Sequence, residues 1–200
     1  MTFAVLPANG TSTRMGRPKL TLPLGPCTVI ERVVTTLRAG GVETVLVVAG
    51  VHVPELAPLA AKAGAIVLSL PKSTNDMRAT VEQGLDYLGE RFHPGADDSW
   101  LLCPADHPVF SPDTVRQLLA AATTLAQSIL TPVYAGRRGH PTLFHWRHVG
   151  AIRSLPPGEG INTYLRLHTD ELRDVEVSDP GVLTNLTTPE DYARLRLLGL

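Results

Sequence analysis

Apolar residues gather in short blocks along the chain, at residues 3–6, 43–50, 63–70, 99–106 and 126–136, each bounded by Gly, Pro or Asp. These blocks are apolar on both faces and rich in Val, Ile and Leu, which predicts strands of a parallel sheet covered by helices. Between them the spacing changes. Val29, Ile30, Val33, Val34 and Leu37 fall on one helical face before the Gly40-Gly41 stop. PELAPLAAKAG and DMRATVEQGLDYLGERF follow the same pattern, and SPDTVRQLLAAATTLA opens on a Ser111 cap with Pro112 at the first helical position. The alternation predicts an α/β fold with an open, Rossmann-like, three-layer α/β/α arrangement around a mostly parallel sheet. Beyond residue 136 the pattern weakens: GHPTLFHWRH predicts a strand, INTYLRLH a helix, LRDVEVS a strand and PEDYARLRLLGL a capped terminal helix.

At 200 residues the chain suits one α/β domain over 1–200. Its hydrophobic content of 44% and charged content of 18% are those of a soluble globular protein, and 17 Gly with 17 Pro predict many turns. A net charge of -1, with Lys and Arg scattered, argues against nucleic acid as a partner. No window approaches the ~18 consecutive apolar residues of a membrane span, and the N-terminus has no basic leader, so a cytoplasmic protein with no membrane partner is expected. Cys27 and Cys103 are far apart and without metal-ligand spacing, which fits a reducing compartment.

The first strand runs into PANGTSTRMGRPKL, residues 7–20, where open α/β sheets bind ligands. Neither GxGxxG nor GxxxxGK[ST] is present, so a standard dinucleotide or NTPase loop is not indicated. ANGTSTRMGRPKL instead resembles LAAGxSxRMGxxK, the signature of molybdenum cofactor cytidylyltransferases and guanylyltransferases and related sugar-nucleotide enzymes, the MobA-like NTP transferases. Gly10, Ser12, Arg14, Met15, Gly16 and Lys19 match it. KLTLPLG, MRATVEQGL, PADHP, RRGHPTLF and TTPEDYARL follow in the order of the family's later landmarks, so the resemblance covers nearly the whole chain.

The resemblance implies Mg²⁺-dependent transfer of a nucleoside monophosphate from a triphosphate, CTP favoured over GTP, to a phosphorylated small molecule such as molybdopterin, with release of pyrophosphate. It implies a nucleotide-binding part over about 1–110 and an acceptor-binding part over about 111–200, and a molybdoenzyme or chaperone as a candidate partner. Ala8, Asn9, Gly10, Ser12, Thr13, Arg14 and Lys19 would cradle the nucleotide. Small backbone groups let successive N–H groups approach phosphate, while Arg14 and Lys19 offset charge growing on the leaving pyrophosphate. Met77 and Thr80 would contact base and ribose, with Asp76 read as a helix cap. Asn9 stands where the family's base preference is set; its amide suits either a base edge or a tight turn with positive φ.

Asp106 lies just past an apolar strand and in the resembled family holds Mg²⁺, a hard ion that needs only one or two protein carboxylates beside waters and phosphates. The alternative is a turn or cap aspartate ahead of Pro108. The family's second metal position, usually within DxDTPED or NxNTPED, reads NLTTPED here, with Asn185 and Thr187 in the key places. A threonine hydroxyl is a weak ligand, so Asp106 either holds the metal almost alone or is helped by Asn185 or Asp191, although Thr188 to Asp191 also reads as a helix start. His107, Arg138 and His140, with Arg137, would border the acceptor phosphate; the alternative for the arginines is an exposed basic turn. His140, His145 and His148 show no cysteine or carboxylate partner, so zinc is not expected. Trp146 and His168 are placed beside the acceptor pocket or in packing. Because Asn9 and Thr187 depart from the family pattern, a sugar-phosphate enzyme or a weakly catalytic nucleotide-binding relative stays open.

Overall fold

The computed structural model describes residues 1–199, and its elements follow the predicted order with several short additions. β1 (Thr2–Ala8) is followed by two 3-10 turns and a small antiparallel hairpin, β2 (Pro23–Leu24) with β3 (Cys27–Thr28), before the first helix begins. The hairpin was not legible as apolar alternation because each strand is two residues long. α1 (Val29–Ala39) starts on a capping box in which the Thr28 hydroxyl accepts from the Glu31 N–H and Glu31 accepts from the Thr28 N–H. β4 (Thr44–Gly50), α2 (Leu56–Lys62), β5 (Ile66–Leu70), α3 (Met77–Phe92), β6 (Ser99–Leu102) and α4 (Pro112–Thr124) complete the regular alternation. Asp76 caps α3 through the Ala79 N–H at 2.8 Å, as the sequence predicts.

The second half departs from simple winding at one turn. β7 (Ile129–Tyr134) reverses through Ala135 and Gly136, at φ 50° and 72°, into β8 (Arg137–Arg138). Two consecutive positive φ angles make this the turn that suits the twist of a hairpin. β9 (Thr142–His145) therefore runs against the rest of the sheet, inserted antiparallel between β6 and β7. α5 (Val149–Arg153), α6 (Ile161–Leu167), β10 (Leu172–Glu176) and α7 (Pro189–Arg196) follow, α7 ending short of the predicted terminus.

The sheet order is β10-β7-β9-β6-β1-β4-β5, with β8 paired to β7; apart from β8 and β9 the strands are parallel. Alternate side chains of β1 explain why its run is apolar throughout. Ala4 and Leu6 enter the core beneath α1, α2 and α4, whereas Phe3 and Val5 enter the one beneath α3, α5 and α6. Trp100 of β6 stacks on Phe144 of β9 with centroids 4.7 Å apart, tying the reversed strand into the second core. No helix among the described residues is long and apolar enough to cross a membrane. The segment following β10 returns to the carboxyl end of β6, where the Leu186 N–H bonds to the Asp106 carbonyl at 2.8 Å.

Candidate active site

The loop after β1 is held open by its own backbone. Ser12 sits at φ 54° and Gly16 at φ 68°, and the 3-10 turns at Thr13–Met15 and Lys19–Thr21 bury Met15 and Leu20 as anchors. A non-glycine residue at positive φ is uncommon and marks a backbone whose course is dictated by its surroundings. The Lys19 N–H donates to Ser12 Oγ at 3.4 Å, closing the loop on itself. At Gly10 a Cβ would meet no protein atom within 4 Å, so glycine leaves open space there. Ala8, Asn9, Gly10, Ser12 and Lys19 line a cavity of about 320 Å³, within the range of small-ligand sites. Arg14 and Thr13 are exposed on the outer side of the loop, the Arg14 guanidinium unengaged among the described residues.

Asp106 reaches the same cavity from beyond β6. Its Oδ2 accepts from Lys19 Nζ at 2.6 Å, and that ammonium also donates to the Leu186 carbonyl at 2.9 Å. The Leu186 N–H in turn donates to the Asp106 carbonyl at 2.8 Å. Two residues 87 positions apart are thus brought together, and a main-chain group that no side-chain motif marks stands beside them. His107 Nε2 lies 4.0 Å from Asp106 Oδ1. A carboxylate lining a cavity suits a divalent ion that takes its other ligands from phosphates and water. Among the described residues no three His, Cys, Asp or Glu side chains converge; two carboxylates line this cavity, Asp76, which caps α3, and Asp106.

Asn9 does not adopt the positive-φ turn that was one of its two readings. Its Nδ2 donates to Thr74 Oγ1 at 3.1 Å; Thr74 and Thr80 hydroxyls lie 2.5 Å apart, and Thr80 donates to the Asp76 carbonyl at 3.2 Å. Met77 stands half-exposed at the mouth. Asn9 Oδ1 is buried without a partner and occupies the space a side chain at Gly50 would need: a Cβ there would lie 2.1 Å from Oδ1 and 2.5 Å from the His52 ring. His52 Nε2 is 3.3 Å from the Gly10 carbonyl. Gly50, His52 and Leu186 escaped the sequence reading, whereas Thr74 lies in the segment Ser73 to Leu85 that the resemblance assigns to base and ribose contact; for His52 a usable signal existed, since it follows a strand beside the first loop. Gly50→Ala should displace Asn9 and His52 and weaken binding of the expected nucleotide about tenfold, some 1.4 kcal/mol, in a calorimetric titration.

On the far side of Asp106, the His107 and His140 rings meet edge-on with centroids 4.8 Å apart, and neither Nδ1 has a partner. Burial pushes both imidazoles down, His140 to about 4, with the His107 ring adding to the effect and Asp106 opposing it. His140 therefore stands as a neutral hydrogen-bonding group at pH 7 rather than a cation. The unfolded chain takes up a proton near pH 6.5 and the folded chain only near 4, so stability is full above pH 6.5 and falls between those values. A thermal melt series from pH 7.5 to 4 should show this decline, with a slope of up to about 1.4 kcal/mol per pH unit from this group, and His140→Gln should remove that share, leaving what the other lowered imidazoles, His107, His145 and His148, contribute.

The remaining candidates do not line this cavity. Arg138 sits on the outer hairpin with its guanidinium on Asp174, Nε to Oδ1 at 2.7 Å and Nη2 to Oδ2 at 3.3 Å, and Arg137 is exposed beside it. Asn185 is exposed and borders a separate depression with Asp191 and Arg194. The Thr187 N–H donates to Asp191 Oδ2 at 3.0 Å, as does that of Thr188 at 2.8 Å, while Arg194 closes on Oδ1. These bonds hold the Asp191 carboxyl below its usual range and commit it to the α7 cap, so it does not support Asp106. His145 accepts from Arg147, and His148 is buried between Ser128 and Tyr164, apart from His140. Trp146 packs on Phe3, its main chain bonded to the Asp98 carbonyl ahead of β6 and hence at the opposite end of the sheet, while His168 stacks on Tyr164.

Comparison with known proteins places this geometry. The MobA-like NTP transferase domain matches residues 4–175. The bifunctional IPC transferase and DIPP synthase of Rubrobacter xylanophilus is 31% identical over 158 residues, covering 76% of this chain and 34% of that protein, so the chain spans about a third of the relative's length. Among solved structures, Rv0371c of Mycobacterium tuberculosis H37Rv superposes with a TM-score of 0.82 at 26% identity, covering 98% of this chain and 97% of that one. A nucleotidyl transferase from Methanothermobacter thermautotroptrophicus gives a TM-score of 0.77 at 28% identity, covering 98% and 96%. With 4–175 matched and the fold shared along almost its whole length, the chain belongs to the MobA-like NTP transferase family.

Proposed function

We propose that the protein transfers a nucleoside monophosphate from a nucleoside triphosphate, CTP in the first instance, to a phosphorylated small molecule and releases pyrophosphate. The observation that carries this reading is the meeting of Lys19, from the glycine loop, with Asp106, from the end of β6, over one cavity. The loop's open backbone at Gly10 would receive the triphosphate, with Lys19 as a point charge and Arg14 swinging in from solvent to offset charge on the departing pyrophosphate. The acceptor phosphate is already ionised and already a nucleophile, so these residues need only align it with the α-phosphorus and hold the leaving group in line. Mg²⁺ held by Asp106 would neutralise phosphate charge and orient the two reacting groups. Asn9, fixed by Thr74 and Thr80, supports a base contact at the inner end of the cavity.

For the acceptor, His107 and His140 offer neutral hydrogen-bonding groups, while Arg138 is engaged with Asp174. Molybdopterin is the acceptor the loop motifs favour. The name of the Rubrobacter relative favours a different small phosphate, which is the second reading. Thermal shifts with CTP, GTP, ATP and UTP, with and without Mg²⁺, select the nucleotide, since a ligand at 100 times its dissociation constant adds about 2.7 kcal/mol. Pyrophosphate release with each acceptor class then selects between the readings. Stabilisation independent of Mg²⁺, with no release under any acceptor, would overturn both in favour of a nucleotide-binding protein.

A further inference from the structure

We propose that Asp106 Oδ2 and the main-chain oxygen of Leu186 form the protein's half of a divalent-cation site, which the Lys19 ammonium holds until a nucleoside triphosphate draws it away. The proposal deepens the nucleotidyl-transfer reading and rests on it. Lys19 Nζ donates to both oxygens, at 2.6 and 2.9 Å, so a carboxylate and a carbonyl converge on one positive charge. Carboxylate and carbonyl oxygens are the donors that suit Mg²⁺ and Mn²⁺. No cluster of three acidic, imidazole or thiol side chains offers an alternative among the described residues.

The carbonyl is held in place from several sides. The Leu186 N–H is bonded to the Asp106 carbonyl at 2.8 Å and its side chain is fully buried. Upstream, Asp179 pins the same segment by accepting from Ser111 N–H at 2.6 Å, Thr114 Oγ1 at 2.7 Å and Gly181 N–H at 2.8 Å. Leu186 O is therefore a fixed donor, whereas Lys19 is a flexible stem with a mobile head, and its side chain is 19% exposed.

An ammonium and a divalent ion cannot share these oxygens, because like charges a few ångströms apart repel strongly where solvent is limited. A tethered lysine competes at high effective concentration. A triphosphate reverses the balance by offering Lys19 another anion and the metal further oxygens. Nucleotide and metal then favour each other's binding by the same factor, as linkage requires.

The test is Mn²⁺ binding to the full chain followed by electron paramagnetic resonance, without nucleotide and with α,β-methylene CTP. Lys19→Met, with Lys19→Gln as a second variant, should bind Mn²⁺ alone on the order of tenfold to a hundredfold more tightly than the wild type. The enhancement produced by the analogue should shrink by the same factor. Unchanged or weaker binding in both variants, while Asp106→Ala abolishes binding, would overturn the competition and leave the metal reading standing. Wild-type binding in Asp106→Ala would instead sink the metal reading itself. Protein labelled with [1-13C]leucine should show 13C hyperfine coupling to the bound Mn²⁺ that disappears in Leu186→Val, which keeps the carbonyl but loses the label. No coupling, or coupling that persists in that variant, overturns the assignment of Leu186.

Discussion

For the proposed nucleotidyl transfer, Asp106→Ala should slow pyrophosphate release on the order of a thousandfold, about 4 kcal/mol of transition-state stabilisation, in a coupled assay with the triphosphate, divalent metal and acceptor phosphate that support turnover of the wild type. Removing the carboxylate takes away the acidic group that meets Lys19 over the cavity and would hold a hard cation, and it releases Lys19 from its 2.6 Å contact. The two effects are separable. Asp106→Asn keeps the shape and an oxygen that Lys19 can bond, but removes the charge; a loss as large as in the alanine variant would assign the effect to charge. Stability should fall by only about 1–2 kcal/mol, between the limits for exposed and buried pairs, because solvent reaches both side chains. Unchanged turnover in Asp106→Ala would remove the central residue of the proposed mechanism.

Gly181→Ala and Gly139→Ala are expected to be the most damaging small substitutions to the fold near the site. A Cβ on Gly181 would lie 2.2 Å from the Val109 carbonyl oxygen, and one on Gly139 would lie 2.4 Å from that of Val182. Both obstacles are main chain, which cannot swing aside as a side-chain end can. The returning segment from Asp179 to Thr187 is pressed between the loop after Asp106 and the hairpin turn, and His140 N–H donates to the Val182 carbonyl at 2.9 Å. Each substitution should cost about 3 kcal/mol, as overpacking against unyielding structure does. For a chain of this length that lowers Tm by roughly 6–12 °C in a calorimetric melt. Gly150→Ala is the control: it lies in α5 with nothing within 4 Å of the added Cβ and should stabilise by about 0.5–1 kcal/mol. If Gly181→Ala and Gly150→Ala melted alike, the close approach would not be the reason for glycine at 181.

The glycine loop and Asp106 were legible because their chemistry is carried by side-chain types at fixed spacing next to an apolar run. Strand β1 puts the loop at its carboxyl end, and strand β6 does the same for Asp106. The base of the cavity was only partly legible. Asn9 offered two local explanations, and the choice between them lay with Thr74, 65 residues away. Gly50 left no trace as a site residue because its contribution is the absence of a side chain in space that Asn9 and His52 fill. The C-terminal candidates had two readings for a different reason. NLTTPED supports both a metal pattern and a helix start, and the helix start takes Asp191, whose two N–H bonds from Thr187 and Thr188 satisfy donors that α7 would otherwise leave unpaired.

By itself the sequence determined the α/β alternation, the two core faces, the helix caps at Asp76, Ser111 and Thr188, and the resemblance carried from Gly10 to the terminal helix. Those features depend on periodicity and on residues within a few positions of one another, so local physics decides them. The tertiary structure alone decided that Ala135 and Gly136 turn β9 against the sheet, that Arg138 is spent on Asp174, and that the Leu186 carbonyl stands beside Asp106 and Lys19. A main-chain oxygen is the same at every position of a sequence. Which one faces a charge is settled only when distant segments pack.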